Sequence, residues 1–238
     1  MDFRLKRYRR DYPYSYANGV FSTIELLDTR PEHVLGVLIS SSGERNEGMI
    51  KIKKLCKEHD IPVEVNDKTI ERICLKGKHL AVGVFKKYNS AIEPGKNHLI
   101  LVNPSDMGNI GTIARTMAGF GMTDLVLIRP AADYFDPRAL RASMGAVFHL
   151  NIEYFDSLSD YWNTFGNNLY LFKTGENASI RETRFESPYA LVFGNESSGL
   201  PDDIQVEGKT VSIPQTGKID SLNLSVAAGI ALYESCRF

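Results

Sequence analysis

Residues 191–201 read LVFGNESSGLP. Leu191, Val192 and Phe193 suit the interior of a sheet. The residues from Gly194 to Gly199 then include no apolar side chain, before Leu200 and Pro201 close the stretch. An ordinary turn needs fewer special residues. A loop that sets a carboxylate, Glu196, between two glycines is therefore either long and solvated or built to hold something.

Outward from this stretch, strand-like and helix-like segments alternate. HVLGVLIS (33–40), IPVEVN (61–66) and HLAVGVFKKY (79–88) read as strands. MIKIKKLCKEHD (49–60) reads as a helix, with Ile52, Leu55 and Cys56 on one face and lysines on the other. NSAIEPGKN (89–97), with Pro94-Gly95, is the best linker in the chain. The alternation restarts with HLILVN (98–103), TDLVLI (123–128), NLYLFKT (168–174), YALVFGN (189–195) and TVSIP (210–214). Strands separated by helices imply a largely parallel sheet with covered faces. The expectation is two α/β domains, residues 1–92 and 98–238, joined by a linker at 93–97.

Composition narrows the function classes. The net charge of −1 favours no partner. Its distribution is uneven: 17 basic against 13 acidic side chains up to Gly95, and 11 against 16 beyond it. Cys56, Cys74 and Cys236 lack zinc or redox spacing, and the five histidines form no metal-ligand pattern, so no metal is expected. There is no apolar run of about 18 residues to span a bilayer, and the basic start lacks a secretory apolar core. A soluble cytoplasmic protein is expected.

Ligands of parallel sheets sit beyond the carboxyl ends of the strands, where three loops stand out: 100–121, 191–201 and 211–234. In the helix after Asn109, residues Ile110, Ile113, Ala114, Met117 and Ala118 follow the pattern of a sheet-facing stripe. Arg115 lies off that stripe, one turn from Gly111 and from Gly119. Either a backbone or ligand approaches there, or Arg115 is a solvated charge and the glycines permit tight packing. Glu196 reads equally as an exposed carboxylate or a helix cap. Ser197 and Ser198 form no nucleophile elbow. Asp220 or Ser221 suits the cap of the last helix, with Asn223 as polar decoration. Ala227, Ala228, Gly229 and Ala231 indicate close packing. A P-loop is absent, and the glycines at 108–121 fall short of a dinucleotide fingerprint.

As a set, NPSDMGNIGTIARTMAGFG, LVFGNESSGLP and IPQTGKIDSLNLSVAAGIALYE resemble the three motifs of the SpoU (TrmH-like) RNA ribose methyltransferases of the SPOUT superfamily. The similarity covers the whole second domain, including RASMGAVFHL (141–150). More loosely, the first domain is similar to the L30e-like α/β module that binds substrate in many of these enzymes. The resemblance implies a C-terminal trefoil-knotted α/β domain, an S-adenosylmethionine site in the knotted loops, and a homodimer with its active site near the subunit contact. Residue by residue, it implies cofactor contacts at Thr174, Gly175, Gly194, Ile213 and Leu222. Asn109, Arg115, Glu196, Ser221 and Asn223 match the polar active-site positions. Gln215 stands where the family often has methionine, and Ser197 where it often has glycine.

The implied reaction moves a methyl group to a ribose 2′-hydroxyl. Family accounts make Arg115 the base, yet a guanidinium holds its proton above about pH 12. Clamping a phosphate and stabilising charge on the oxygen suits it better. At the amino terminus, Arg4, Lys6, Arg7, Arg9 and Arg10 alternate with tyrosines, a pattern that fits either a solvated tail or RNA binding. Ribosomal RNA is the expected substrate, by analogy with the ribosomal-protein fold of the first domain. The alternatives are transfer RNA and a non-catalytic RNA-binding protein that keeps the fold; a dehydrogenase has least support.

Overall fold

A computed structural model describes residues 5–43, 46–74, 79–175, 178–201, 204 and 206–236. The chain divides into two units. One holds residues 1–88 with 133–149, and the other holds residues 89–132 with 150–238.

The first unit begins with a strand that the sequence reading did not single out, β1 (Tyr14–Asn18), followed by α1 (Val20–Thr29). Then come β2 (Val34–Ile39), α2 (Glu47–Glu58), β3 (Val63–Val65), α3 (Asp67–Ile73) and β4 (Ala81–Lys86). The sheet order is β1-β4-β2-β3, and only the β2–β3 pair is parallel. α2 buries Met49, Ile52, Leu55 and Cys56, the face its periodicity predicts, and Asn46 caps it through the Gly48 N–H.

The second unit contains β5 (His98–Val102), α4 (Met107–Gly119), β6 (Asp124–Ile128) and, after the excursion 133–149, β7 (Asn151–Phe155). The excursion contains α5 (Pro137–Ala142) and belongs to the first unit. Next come α6 (Leu158–Phe165), β8 (Asn168–Phe172), β9 (Ala178–Ser179), β10 (Tyr189–Phe193), β11 (Lys209–Ser212) and α7 (Leu224–Ser235). Its sheet has the order β7-β6-β5-β10-β8-β11-β9, and every pair is parallel. β5, β6 and β10 are buried along their whole length, as strands covered on both faces must be. The α/β class and the largely parallel sheet match the expectation. No helix among the described residues is long and apolar enough to cross a membrane.

The division differs from a single cut at 93–97. The stretch 89–97 is fastened to the second unit: Ile92 N–H donates to Glu153 at 3.0 Å and Glu93 N–H to Asp124 at 2.9 Å. Buried His98 lies 2.7 Å from the Tyr161 hydroxyl and 2.9 Å from the Glu93 carbonyl. Residues 133–149 leave the second unit because their aromatic side chains find partners in the first. Phe135 and Phe148 pack edge-on against Phe85 of β4, with ring centroids 5.5 and 5.3 Å apart.

Parallel strands send their carboxyl ends to one edge. Asn103 follows β5, Gly194 follows β10 and Ile213 follows β11 at that shared edge. Three segments distant in sequence thereby become neighbours.

Candidate active site

Gly194 allows the first crossing. A Cβ there would stand 2.0 Å from the carbonyl carbon of Gly199 and 2.2 Å from the Leu200 nitrogen. Only glycine admits such a backbone approach. Asn195 and Gly199 exchange two backbone hydrogen bonds, at 3.1 and 2.9 Å, and fold the loop back on itself. The Asn195 side chain donates to the Asn103 carbonyl at 2.8 Å and accepts from the Ser197 N–H at 2.9 Å.

This hairpin aims Glu196 at the start of α4. Oε2 accepts from the Ser105 N–H (3.1 Å) and hydroxyl (2.9 Å), while Oε1 accepts from the Asp106 N–H (3.1 Å) and Asn109 Nδ2 (3.2 Å). Burial alone would raise the Glu196 pKa. Hydrogen bonds from its own N–H, the Ser105 and Asp106 N–H groups and Asn109 outweigh that effect and hold it below the usual carboxylate value. Glu196 is therefore an ionised acceptor with its lone pairs engaged, and a poor base.

Its charge orients its neighbours. A carboxylate only accepts, so Asn109 must turn its NH2 group towards Glu196 and its oxygen away. That oxygen accepts from Asn223 Nδ2 at 3.2 Å. Asn223 in turn caps α7, accepting from the Ser225 N–H (2.9 Å) and hydroxyl (2.6 Å). Asp106 caps α4 through the Asn109 N–H at 2.7 Å. The cap of the last helix is Asn223, not Asp220 or Ser221, because its oxygen is the one within reach of the α7 N–H groups. Each NH2 group keeps a second N–H.

Beside this chain of amides lies a cavity of about 440 Å³, within the usual range for small-molecule sites. Thr174, Gly194, Ile213 and Leu222 line it, as do Glu196, Asp220 and Ser221; Gly175, exposed beside Thr174, does not. Phe172 and Phe193 stack at 4.5 Å on one wall. Phe172, Phe193, Ile213, Leu222 and Leu224 supply apolar wall, and Glu196, Asp220 and Lys173 supply charge of both signs, so the cavity suits a ligand with an aromatic part and charged groups.

Arg115 is exposed, and among the described residues its side chain makes no hydrogen bond or ion pair. It lies six residues beyond Asn109, about 120° round α4 and about 9 Å along it. Within one subunit it does not join the linked amides. No close approach occurs at Gly119, where a Cβ would meet nothing within 4 Å. Gly111, one turn before Arg115, is buried in α4.

Ser105, Asp106 and Asn195 escaped the sequence reading. Asp106, three residues before Asn109, carries the usual cap signal. Ser105 and Asn195 act across the fold and leave no local signal.

The profile of the SpoU rRNA methylase family matches residues 96–233. The chain belongs to the SpoU methylase family. Among SpoU relatives, a putative tRNA (cytidine(34)-2′-O)-methyltransferase of Listeria innocua is 36% identical over 59% of this chain and 87% of its own. The 23S rRNA (guanosine-2′-O-)-methyltransferase RlmB of Acinetobacter baylyi is 28% identical over 93% of this chain and 96% of its own. Among solved structures, an AdoMet-bound rRNA methyltransferase from Sinorhizobium meliloti is 27% identical, with a TM-score of 0.77, over 94% of this chain and 87% of that one.

Proposed function

We propose that this SpoU protein is an S-adenosylmethionine-dependent RNA methyltransferase that acts on a ribose 2′-hydroxyl. The observation that carries the reading is the directed chain Glu196–Asn109–Asn223 beside a cavity built from two of the three family motifs. S-adenosylmethionine, when bound, supplies an electrophilic methyl group on a sulfonium. Thr174, Gly194, Ile213 and Leu222 would hold it, with the Glu196 and Asp220 carboxylates and the Lys173 ammonium facing its charged groups.

The protein's own residues supply position and charge. Glu196 fixes the Asn109 amide, and Asn109 fixes Asn223, so their spare N–H groups are preorganised to bind an oxygen of the nucleotide. Ser221, at the cavity wall, adds a hydroxyl. Holding the ribose oxygen in line with the methyl carbon supplies several kcal/mol. Arg115 acts as a fixed positive charge on a phosphate or on the developing oxyanion. It reaches the site from the partner subunit of a homodimer. Its separation from Asn109 within one chain supports this, as do Phe120, Val226 and Tyr233, which leave 40%, 50% and 59% of their surface uncovered on α7 and the end of α4. The insertion of β10 between β5 and β8, with the loops after β10 and β11 meeting, supports a trefoil knot.

Ribosomal RNA is the substrate in this reading. The Listeria innocua relative, named for tRNA, matches only 59% of this chain, whereas the Acinetobacter baylyi relative, named for rRNA, matches 93% and so includes the first unit. That unit serves as an L30e-like substrate-binding domain, and the protein works in the cytoplasm. Mapping 2′-O-methyl groups in RNA from cells lacking the protein tests the assignment: a missing rRNA methyl supports it, and a missing tRNA methyl redirects it.

A further inference from the structure

We propose that the first unit carries a phosphate-binding cleft, formed by Lys6, Arg7 and Arg72, that holds the backbone of the RNA. The identity of the ligand rests on the RNA substrate proposed above; the cleft rests on geometry alone. It is an open depression of about 450 Å³ whose lining among the described residues is Leu5, Lys6, Arg7 and Arg72, three cations and no carboxylate. Arg7 Nε donates to the Arg72 carbonyl at 3.3 Å, and Arg72 donates to Thr69 Oγ1 at 3.3 Å. Among the described residues neither guanidinium has an acidic partner, and both side chains are exposed at the cleft. Three like charges repel one another in the free protein, and an anion relieves that cost.

The cleft is ordered before any ligand arrives. Leu5 is buried beside Tyr16, Leu38, Ile70 and Ile73. The Tyr16 hydroxyl donates to the Lys6 carbonyl, and the Tyr8 hydroxyl donates to the Asp133 carboxylate. Lys87 binds that same carboxylate at 3.0 Å and the Arg10 carbonyl at 2.9 Å, with its ammonium 4.7 Å from the Tyr8 ring centre. The amino terminus from Leu5 onward is thus a fastened strap and not a solvated tail, so binding spends little free energy on ordering it.

The strap also sorts the basic residues named from the sequence. Lys6 and Arg7 line the cleft; Arg9 pairs with Asp11 at 3.3 Å, and Arg4 lies outside the described residues. Arg72, distant in sequence, joins them. Guanidinium forks match the paired oxygens of phosphate and carboxylate alike; three cations in one cleft suit the repeated charges of a phosphodiester backbone better than a single carboxylate.

The test compares wild type, Arg72→Glu and Lys6→Ala/Arg7→Ala in the full chain. Binding of a labelled mixed-sequence single-stranded RNA is followed by anisotropy across salt concentrations, with inorganic phosphate in a separate arm. Both variants should lose about tenfold or more in RNA affinity at low salt. The slope of log affinity on log salt should flatten by about 0.7 for each phosphate that a variant no longer neutralises. Affinity for S-adenosylmethionine should stay at the wild-type value, reporting an intact second unit, and Arg72→Lys should recover part of the RNA loss. Wild-type affinity and slope in both variants would overturn the proposal. So would an Arg72-dependent phosphate signal without any change in RNA binding, since free anion would then be the ligand. A wild-type protein that binds S-adenosylmethionine but no RNA would overturn the substrate reading instead.

Discussion

Asn223 donates its amide hydrogen to the Asn109 oxygen at 3.2 Å, across 114 positions of sequence. Through this bond the cap of α7 meets the first turn of α4, and Glu196 sets its direction by accepting from the other side of Asn109. The pair is a small instance of how the site works: a charge with no proton to give orients two neutral amides.

Glu196→Gln breaks that order. A glutamine amide has one acceptor oxygen where Glu196 uses two, so a donor among Ser105, Asp106 and Asn109 goes unpaired. The cost should be about 1–3 kcal/mol, and methyl transfer should fall at least tenfold. Urea unfolding and single-turnover rates measure both.

Gly194→Ala places a methyl group inside the backbone of Gly199 and Leu200. Unfolding free energy should drop by about 1–3 kcal/mol or more, and S-adenosylmethionine binding should weaken with it. Calorimetric titration of the purified variant checks the pairing of the two effects.

Asn223→Ala removes both a helix cap and the bond to Asn109. Loss of the cap alone costs about 1 kcal/mol. Asn223→Ser keeps a cap oxygen but not the amide N–H, so turnover should fall in it as well as in Asn223→Ala, while stability falls mainly in Asn223→Ala. A wild-type rate in Asn223→Ser would assign Asn223 to capping only.

His98 gives the second unit a pH dependence. Burial lowers its pKa from the ordinary 6.5, outweighing the Glu93 carbonyl and the nearby Asp124 and Glu153 charges. The folded protein therefore binds the proton less readily than the unfolded chain, and stability present above pH 6.5 is lost as pH falls below that value. Urea midpoints between about pH 7 and pH 5 should decline in wild type and decline less in His98→Gln.

Much of this was legible in the sequence, for identifiable reasons. β5, β6 and β10 are apolar runs because both faces are covered, and α2 shows its buried stripe because only one face is. β1 was hidden because its tyrosines alternate within a basic stretch that reads as a tail. The return of 133–149 to the first unit was hidden because Phe135 and Phe148 signal burial without naming their partner, Phe85. At the site, Asn109, Glu196 and Asn223 were found through motif resemblance. Ser105 and Asn195 were not, since a hydrogen bond across about 90 residues writes no local pattern.

The most direct test is transfer itself. Purified protein is given RNA and S-adenosylmethionine labelled in its methyl group, and the RNA is then digested to nucleosides. The label should appear on a ribose 2′-oxygen with wild type. With Arg115→Ala it should disappear while cofactor binding persists, and mixing Arg115→Ala with Asn109→Ala subunits should restore part of it. Label on a base, or an Arg115→Ala rate equal to wild type, would contradict the mechanism proposed for this fold.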